Sequence, residues 1–275
     1  MSFARGRQTI RNDVIAMIAS SPTKITPSAL EKKIFATYGL NKKNTKRIIK
    51  ELVSSGNLSY TYEFGATFIE QSFSKPVRIS KHVVLVPPDH SYRSEPGDVV
   101  ARIRPGASFG DGRHPSTRLA INGIEFALLR CQAVDRRRNS VVLDIGTGSG
   151  VLVITAVLCG MKNGLGIDID PCAQMEAAEN VKVNSLEDRI VISGQSVENL
   201  DRCFPLVTAN LRYPSLKKLF NRLTEIADKE GIIILAGFKD DEMVDLLEVY
   251  TQNKFKCLWT ANELGWAGAV LHKLA

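Results

Sequence analysis

The stretch that most constrains this chain is Val141-Val142-Leu143-Asp144-Ile145-Gly146-Thr147-Gly148-Ser149-Gly150. A short apolar run passes into a G-x-G-x-G turn and then into the helical pattern 151–158, the signature of a strand, a sharp turn and a helix. Glycine suits such a turn because it lets the backbone bend tightly and lets another group approach the main chain. Further apolar runs at 164–168, 190–192, 206–209 and 232–235 alternate with helical stretches, which predicts an α/β fold with a doubly wound, Rossmann-like sheet and right-handed crossovers. Two late runs, 255–259 and 267–272, predict a closing hairpin.

The glycine spacing, with an acid before it, differs from the G-x-G-x-x-G that seats a dinucleotide pyrophosphate. The carboxylate of Asp144 at the strand end suits an ammonium group, directly or through water, and the turn Gly146, Gly148, Gly150 suits a nucleoside without phosphates. A second carboxylate should close the next strand to accept two ribose hydroxyls. Gly166-Ile167-Asp168 supplies it. Together these residues predict binding of S-adenosylmethionine.

Charge divides the chain. Residues 1–75 hold 12 Lys+Arg against 5 Asp+Glu and residues 76–275 hold 24 against 24, so the whole formal charge of +7 sits in the first part. This predicts a basic domain at 1–75 and a cofactor-binding domain at 76–275, the latter made of two leading strands (83–86 and 99–103) with a roofing loop over 76–139 and the Rossmann-like core over 140–275. In the basic part, Ile10, Val14, Ile15 and Ile18 share a helical stripe that stops at Ser20-Ser21-Pro22. Thr26-Pro27 reads as the cap and first position of a second helix, carrying Leu30, Ile34 and Phe35 to Tyr38-Gly39. A third helix spans 41–54, with Ile48, Ile49, Leu52 and Val53 inward, Lys42, Lys43, Lys46, Arg47 and Lys50 outward, and Gly56 as its stop. Alternating runs at 58–62 and 66–69, joined by Glu63-Phe64-Gly65, form a hairpin. This order resembles a winged-helix domain, with 41–54 as recognition helix and 63–65 as wing tip, and it implies nucleic acid as a partner through those two segments.

Cys131, Cys159, Cys172, Cys203 and Cys257 are odd in number and never form a C-x-x-C pair, which points away from a disulfide framework and a zinc site and towards the cytoplasm. The first residues lack an apolar signal core, and no stretch reaches the roughly 20 apolar residues of a bilayer span. A membrane role is not expected.

Over about 77–275 the chain resembles the bacterial methyltransferases that modify ribosomal protein L11 on amino groups. The likeness is carried by Phe109-Gly110-Asp111-Gly112-Arg113-His114-Pro115-Ser116-Thr117, where the family has F-G-T-G-T-H-P-T-T, and by residues 144–150 and Gly166-Ile167-Asp168-Ile169-Asp170-Pro171. Ala209-Asn210-Leu211 and Gly265-Trp266-Ala267 extend it. The resemblance implies cofactor contacts at Thr117, Gly146, Asp168 and Asn210, no metal, and a protein substrate of the ribosomal kind. Asp111 and Arg113 stand where the family has threonines, and Arg212-Tyr213 where it has small residues. The family's substrate-recruiting N-terminal domain is of ferredoxin-like type, unlike residues 1–75 here.

Asn210-Leu211-Arg212-Tyr213 also resembles, without its prolines, the N-P-P-Y motif of enzymes that methylate planar nitrogens. That places Asn210 on the acceptor side and makes Tyr213 a candidate stacking residue. His114 is a candidate for polarising or deprotonating an amine, and Phe109 for a wall beside the sulfonium. Three functions follow as expectations: N-methylation of a protein amine, N-methylation of a nucleic-acid base, or a winged-helix regulator that senses S-adenosylmethionine.

Overall fold

A computed structural model describes residues 2–19, 21, 23–63, 65–131, 133–134, 140–252 and 254–274, and it separates into two units, Met1–Lys75 and Pro76–Ala275. The first unit consists of α1 (Ser2–Ala19), α2 (Pro27–Tyr38), α3 (Lys42–Ser54) and the hairpin β1 (Leu58–Glu63) and β2 (Ala66–Gln71). Local chemistry sets the helix ends. The Thr26 hydroxyl accepts from the Ala29 amide, Asn41 Oδ1 accepts from the Asn44 amide, and Gly39 at φ +63° closes α2 by donating to the Phe35 carbonyl. Val14, Leu30, Ile34, Ile48, Ile49, Leu52, Leu58 and Ile69 form the core. Phe35 of α2 is exposed. Glu63 pairs with Ala66 as the last rung of the hairpin, so the connection is the two-residue 64–65 rather than 63–65. Phe64, Ser20 and Pro22 lie outside the described residues.

The second unit opens with β3 (Val77–Arg78), β4 (Val83–Val86) and β5 (Val99–Arg102). These make a separate three-stranded sheet in which β4 and β5 run parallel, with the two-residue β3 too short to show in the pattern of residues. The core follows as α4 (Pro115–Glu125), β6 (Val141–Ile145), α5 (Val151–Leu158), β7 (Asn163–Ile167), α6 (Pro171–Val183), β8 (Ile190–Ser193), β9 (Phe204–Asn210), α7 (Tyr213–Lys218), α8 (Phe220–Ile226), β10 (Ala227–Lys239), α9 (Met243–Thr251), β11 (Phe255–Glu263) and β12 (Trp266–Lys273). Seven strands form one Rossmann-like sheet in the order β11-β12-β10-β9-β6-β7-β8, parallel except for the closing β11–β12 hairpin.

Both faces of β6 are covered, which is why its run is continuously apolar rather than alternating. Val142 packs with α4 and α5, while Val141, Leu143 and Ile145 pack on the side of α7, α8 and α9. The chain leaves β6 towards β7 on one side and later returns as β9 on the other. Strand order therefore reverses between β6 and β9, and a crevice opens beyond their carboxyl ends. No helix among the described residues is long and apolar enough to cross a membrane.

Candidate active site

A cavity of about 840 Å³ occupies that crevice. Its floor is the glycine turn after β6, its sides are the ends of β7 and β9, and its roof is the loop before α4. Gly146, Gly148, Asp168, Asn210, Phe109 and His114 all line it. Asp144, Gly150, Thr117 and Tyr213 are not part of the lining.

Three clamps hold the roof. Glu176 on α6 accepts from the Ala107 and Ser108 amides at 2.9 Å each. Against the opposing effect of burial, these bonds hold its carboxyl below the ordinary range. The Ser149 amide donates to the Phe109 carbonyl at 2.9 Å and the Ser149 hydroxyl to the Gly110 carbonyl at 3.0 Å. Arg118 on α4 donates to the Gly112 and Arg113 carbonyls while paired with Glu263 at the end of β11. The second clamp gives the turn's central glycine a use the motif did not disclose. Gly148 sits at φ +53°, and a Cβ there would lie 2.4 Å from the Phe109 carbonyl oxygen. Roof backbone, as well as any ligand, needs that space. Gly150 faces Ala177 of α6, so it serves helix packing.

Asp168 begins just past β7. Its two oxygens accept from the Gly148 amide at 2.9 Å and the Asp170 amide at 3.0 Å. A carboxylate has about four lone-pair sites, so two remain for hydroxyl donors from the cavity.

Asp144 lies outside the described lining of the cavity. It is fully buried and accepts from Thr147 Oγ1 at 2.7 Å and Thr208 Oγ1 at 2.6 Å. Asp144 stands opposite Thr208 in the β6–β9 register, so its carboxylate links the two strands. Burial raises its pKa to about 6, outweighing hydrogen bonds from Thr208, Thr147 and the Val153 amide, and the charge of Asp168 adds to the rise.

Because the folded value lies above the ordinary 3.8, the native state holds this proton more tightly than the unfolded chain does. The resulting stability is fully present below pH 4 and is lost as pH rises through 6, a change of roughly 3 kcal/mol. Asp144→Asn removes this titration. In urea unfolding, the stability of the wild type relative to the variant should fall by that amount between pH 4 and pH 7. Parallel pH profiles would rule out a titrating Asp144.

Asn210 ends β9. Its amide nitrogen donates to Thr117 Oγ1 at 3.4 Å, and its Oδ1 is buried without a hydrogen-bond partner. Thr117, itself fully buried, thus fixes the Asn210 amide rather than lining the cavity. Space for this comes from Gly237, where β10 carries a bulge at φ +92°. A Cβ there would meet the Leu211 carbonyl at 2.4 Å and Asn210 Oδ1 at 2.9 Å.

An aromatic wall faces Asn210's end of the cavity. The His114 ring lies 4.9 Å from Phe109 and 4.4 Å from Trp266, and Lys239 Nζ sits 3.6 Å from the centre of Trp266. His114 Nδ1 accepts from the Ser116 amide at 3.2 Å as the cap of α4. In the neutral ring that accepts this bond the proton is on Nε2. Phe109 is 51% exposed and belongs to the wall, not to the core.

Tyr213 opens α7, and its hydroxyl donates to Asp245 of α9 and accepts from Lys217. The ring packs beside the α7–α9 core, outside the described lining of the cavity. Conversely, Trp266, Gly237, Ile169, Ser196 and Leu211 line the cavity without having been singled out as site residues. Gly237 had a signal, a glycine ending a β run. Trp266 had one only in the Gly265-Trp266-Ala267 likeness.

Residues 67–273 match the protein family described as ribosomal protein L11 methyltransferase (PrmA). A ribosomal protein L11 methyltransferase of Geobacter sp. (strain M21) is 34% identical over 193 residues, covering 70% of this chain and 62% of the relative. One of Citrifermentans bemidjiense is 35% identical with the same coverage. The crystal structure of a ribosomal protein L11 methylase from Lactobacillus delbrueckii subsp. bulgaricus superposes with a TM-score of 0.64 at 27% identity, over 73% of this chain and all of that one. The chain spans about 62% of the length of the curated relatives it matches. With the cavity at the sheet's switch point and the match running through every strand of that sheet, the chain belongs to the ribosomal protein L11 methyltransferase (PrmA) family.

Proposed function

We propose that the chain is an S-adenosylmethionine-dependent methyltransferase that methylates amino groups of a ribosomal protein. The observation that carries this reading is the Asn210 side chain, whose buried Oδ1 has no partner and whose residue lines the cavity beside the glycine turn and Asp168. An unsatisfied buried acceptor costs about 1–3 kcal/mol, and an N–H donor from a substrate amine recovers it. The names of the relatives supply the ribosomal protein as substrate class.

The lining fits the cofactor. Asp168 retains acceptor sites for ribose hydroxyls, Ile145, Ile167 and Ile169 offer apolar surface to a base, and Arg212 is the single Lys or Arg among the described lining residues, as suits a nucleoside without phosphates. S-adenosylmethionine supplies an electrophilic methyl on a sulfonium. The chain's own residues do the rest: Asn210 Oδ1 accepts an amine N–H and aims the nitrogen, and Phe109, His114 and Trp266 form a wall that excludes water. With S-adenosylmethionine bound, the neutral nitrogen aimed by Asn210 would take the methyl as the carbon–sulfur bond breaks, and the methylated amine would release a proton to solvent.

Asn210→Ala should lower turnover about 100-fold while cofactor affinity changes no more than two- or three-fold, in line with loss of about 2.7 kcal/mol of orientation. Equal losses in binding and turnover would assign Asn210 to the cofactor alone. Transfer of labelled methyl to a ribosomal fraction should leave label sensitive to protease and resistant to nuclease. Nuclease-sensitive label would reverse the choice of substrate.

A further inference from the structure

The family match starts at residue 67, so nearly all of the first unit lies outside it, and the entire net charge lies in that unit. Helix α3 buries Thr45, Ile48, Ile49 and Leu52 on one side. Lys43, Lys46, Arg47 and Lys50 lie on the other, at the i, i+3, i+4, i+7 spacing that makes one stripe about 10 Å long. Arg47 has one exposed ion pair, to Glu51 at 3.9 Å. Such a pair is too weak to neutralise the face. Three lysines and an arginine at this spacing suit a row of phosphates.

A second observation lies on the hairpin. Leu58, Tyr60 and Tyr62 alternate onto one face of β1, opposite Ile69 and Thr67 of β2. Leu58 and Ile69 are buried in the core, whereas Tyr60 is 52% and Tyr62 74% exposed. Two bare rings about 7 Å apart along a strand are each placed to take a base. A duplex hides its base faces in the stack, and an acidic peptide has none to offer. A strand with both phosphates and free bases satisfies the two features together.

We propose that the first unit docks on an unpaired RNA strand, with the Lys43, Lys46, Arg47 and Lys50 stripe holding phosphates and Tyr60 and Tyr62 stacking on bases. RNA is the choice over DNA because unpaired strands in a cell are chiefly RNA and the family's named substrate is a ribosome component. This would bring the second unit to a ribonucleoprotein surface by a contact separate from the active-site cavity.

Binding is read without turnover, so its outcome is separable from that of the methyl-transfer reading. The full chain is titrated against a fluorescent, unstructured 20-nucleotide RNA and a DNA duplex of equal length. Four phosphate contacts predict a salt slope of about −2.8 and hence about a 50-fold loss of RNA affinity from 50 to 200 mM salt. The triple variant Lys43→Glu, Lys46→Glu, Lys50→Glu should flatten that dependence. Tyr60→Ala and Tyr62→Ala should each weaken RNA about tenfold at either salt, with an unchanged circular-dichroism spectrum and melting curve of the full chain as the check on folding. Absence of RNA binding, indifference to charge reversal, or duplex bound as tightly as RNA with both tyrosine variants unaffected would each overturn the proposal.

Discussion

Asp168→Ala should raise the dissociation constant for S-adenosylmethionine by two to three orders of magnitude while the protein stays folded. Hydrogen bonds to a charged acceptor contribute about 1.5–3 kcal/mol each, and two ribose hydroxyls sharing this carboxylate set the size of the effect. The variant also frees the Gly148 and Asp170 amides, which now donate to Asp168. Asp170 is exposed and water can replace the carboxylate there, whereas Gly148 is buried, so the cost in stability should be about 1–3 kcal/mol. Asp168→Asn keeps one acceptor oxygen and should fall between the two. Calorimetric titration gives the affinity and circular dichroism the fold. A folded Asp168→Ala protein that binds the cofactor as tightly as wild type would remove the ribose role.

Gly148→Ala should destabilise the second unit by about 3 kcal/mol or more and abolish cofactor binding. Part of that loss is conformational, since a left-handed backbone costs an L-residue roughly 1–2 kcal/mol. The larger part is the collision of the new Cβ with the Phe109 carbonyl, a backbone atom held by the Ser149 amide and unable to step aside. Gly265 separates the two contributions. It also has a positive φ, +76°, but a Cβ there meets nothing within 4 Å. Gly265→Ala should therefore lower the melting temperature by only a few degrees, and Gly148→Ala by two to three times as much. Equal shifts would mean that backbone conformation alone explains the glycine and that the roof does not press upon it.

These two residues differ in how far the sequence discloses them. Asp168 was legible because its role is local: an acid one position past an apolar strand must stand at the strand's carboxyl end, whatever surrounds it. The requirement for glycine at 148 was legible too, but its cause was not, because the atom filling the space belongs to Phe109 in a distant loop. The basic face of α3 could be read from helical periodicity, which needs no tertiary information. Thr26 was likewise legible as a cap, since a cap acts on amides two or three residues away.

The sequence by itself determined the order of strands and helices, the strand ends that carry Gly146, Asp168 and Asn210, and the confinement of net charge to the first 75 residues. All of these depend on hydrophobic period, on turn chemistry or on simple position along the chain. Only the tertiary structure decided which side chains face the cavity. Asp144 turned to Thr208, 64 residues away, because β9 rather than solvent lies beside β6. Tyr213 turned to Asp245 because α9 packs next to α7, and Trp266 joined His114 because β12 runs antiparallel beside β10. A side chain's facing is set by its neighbours in space, and pairing between distant segments leaves no periodic mark on either one.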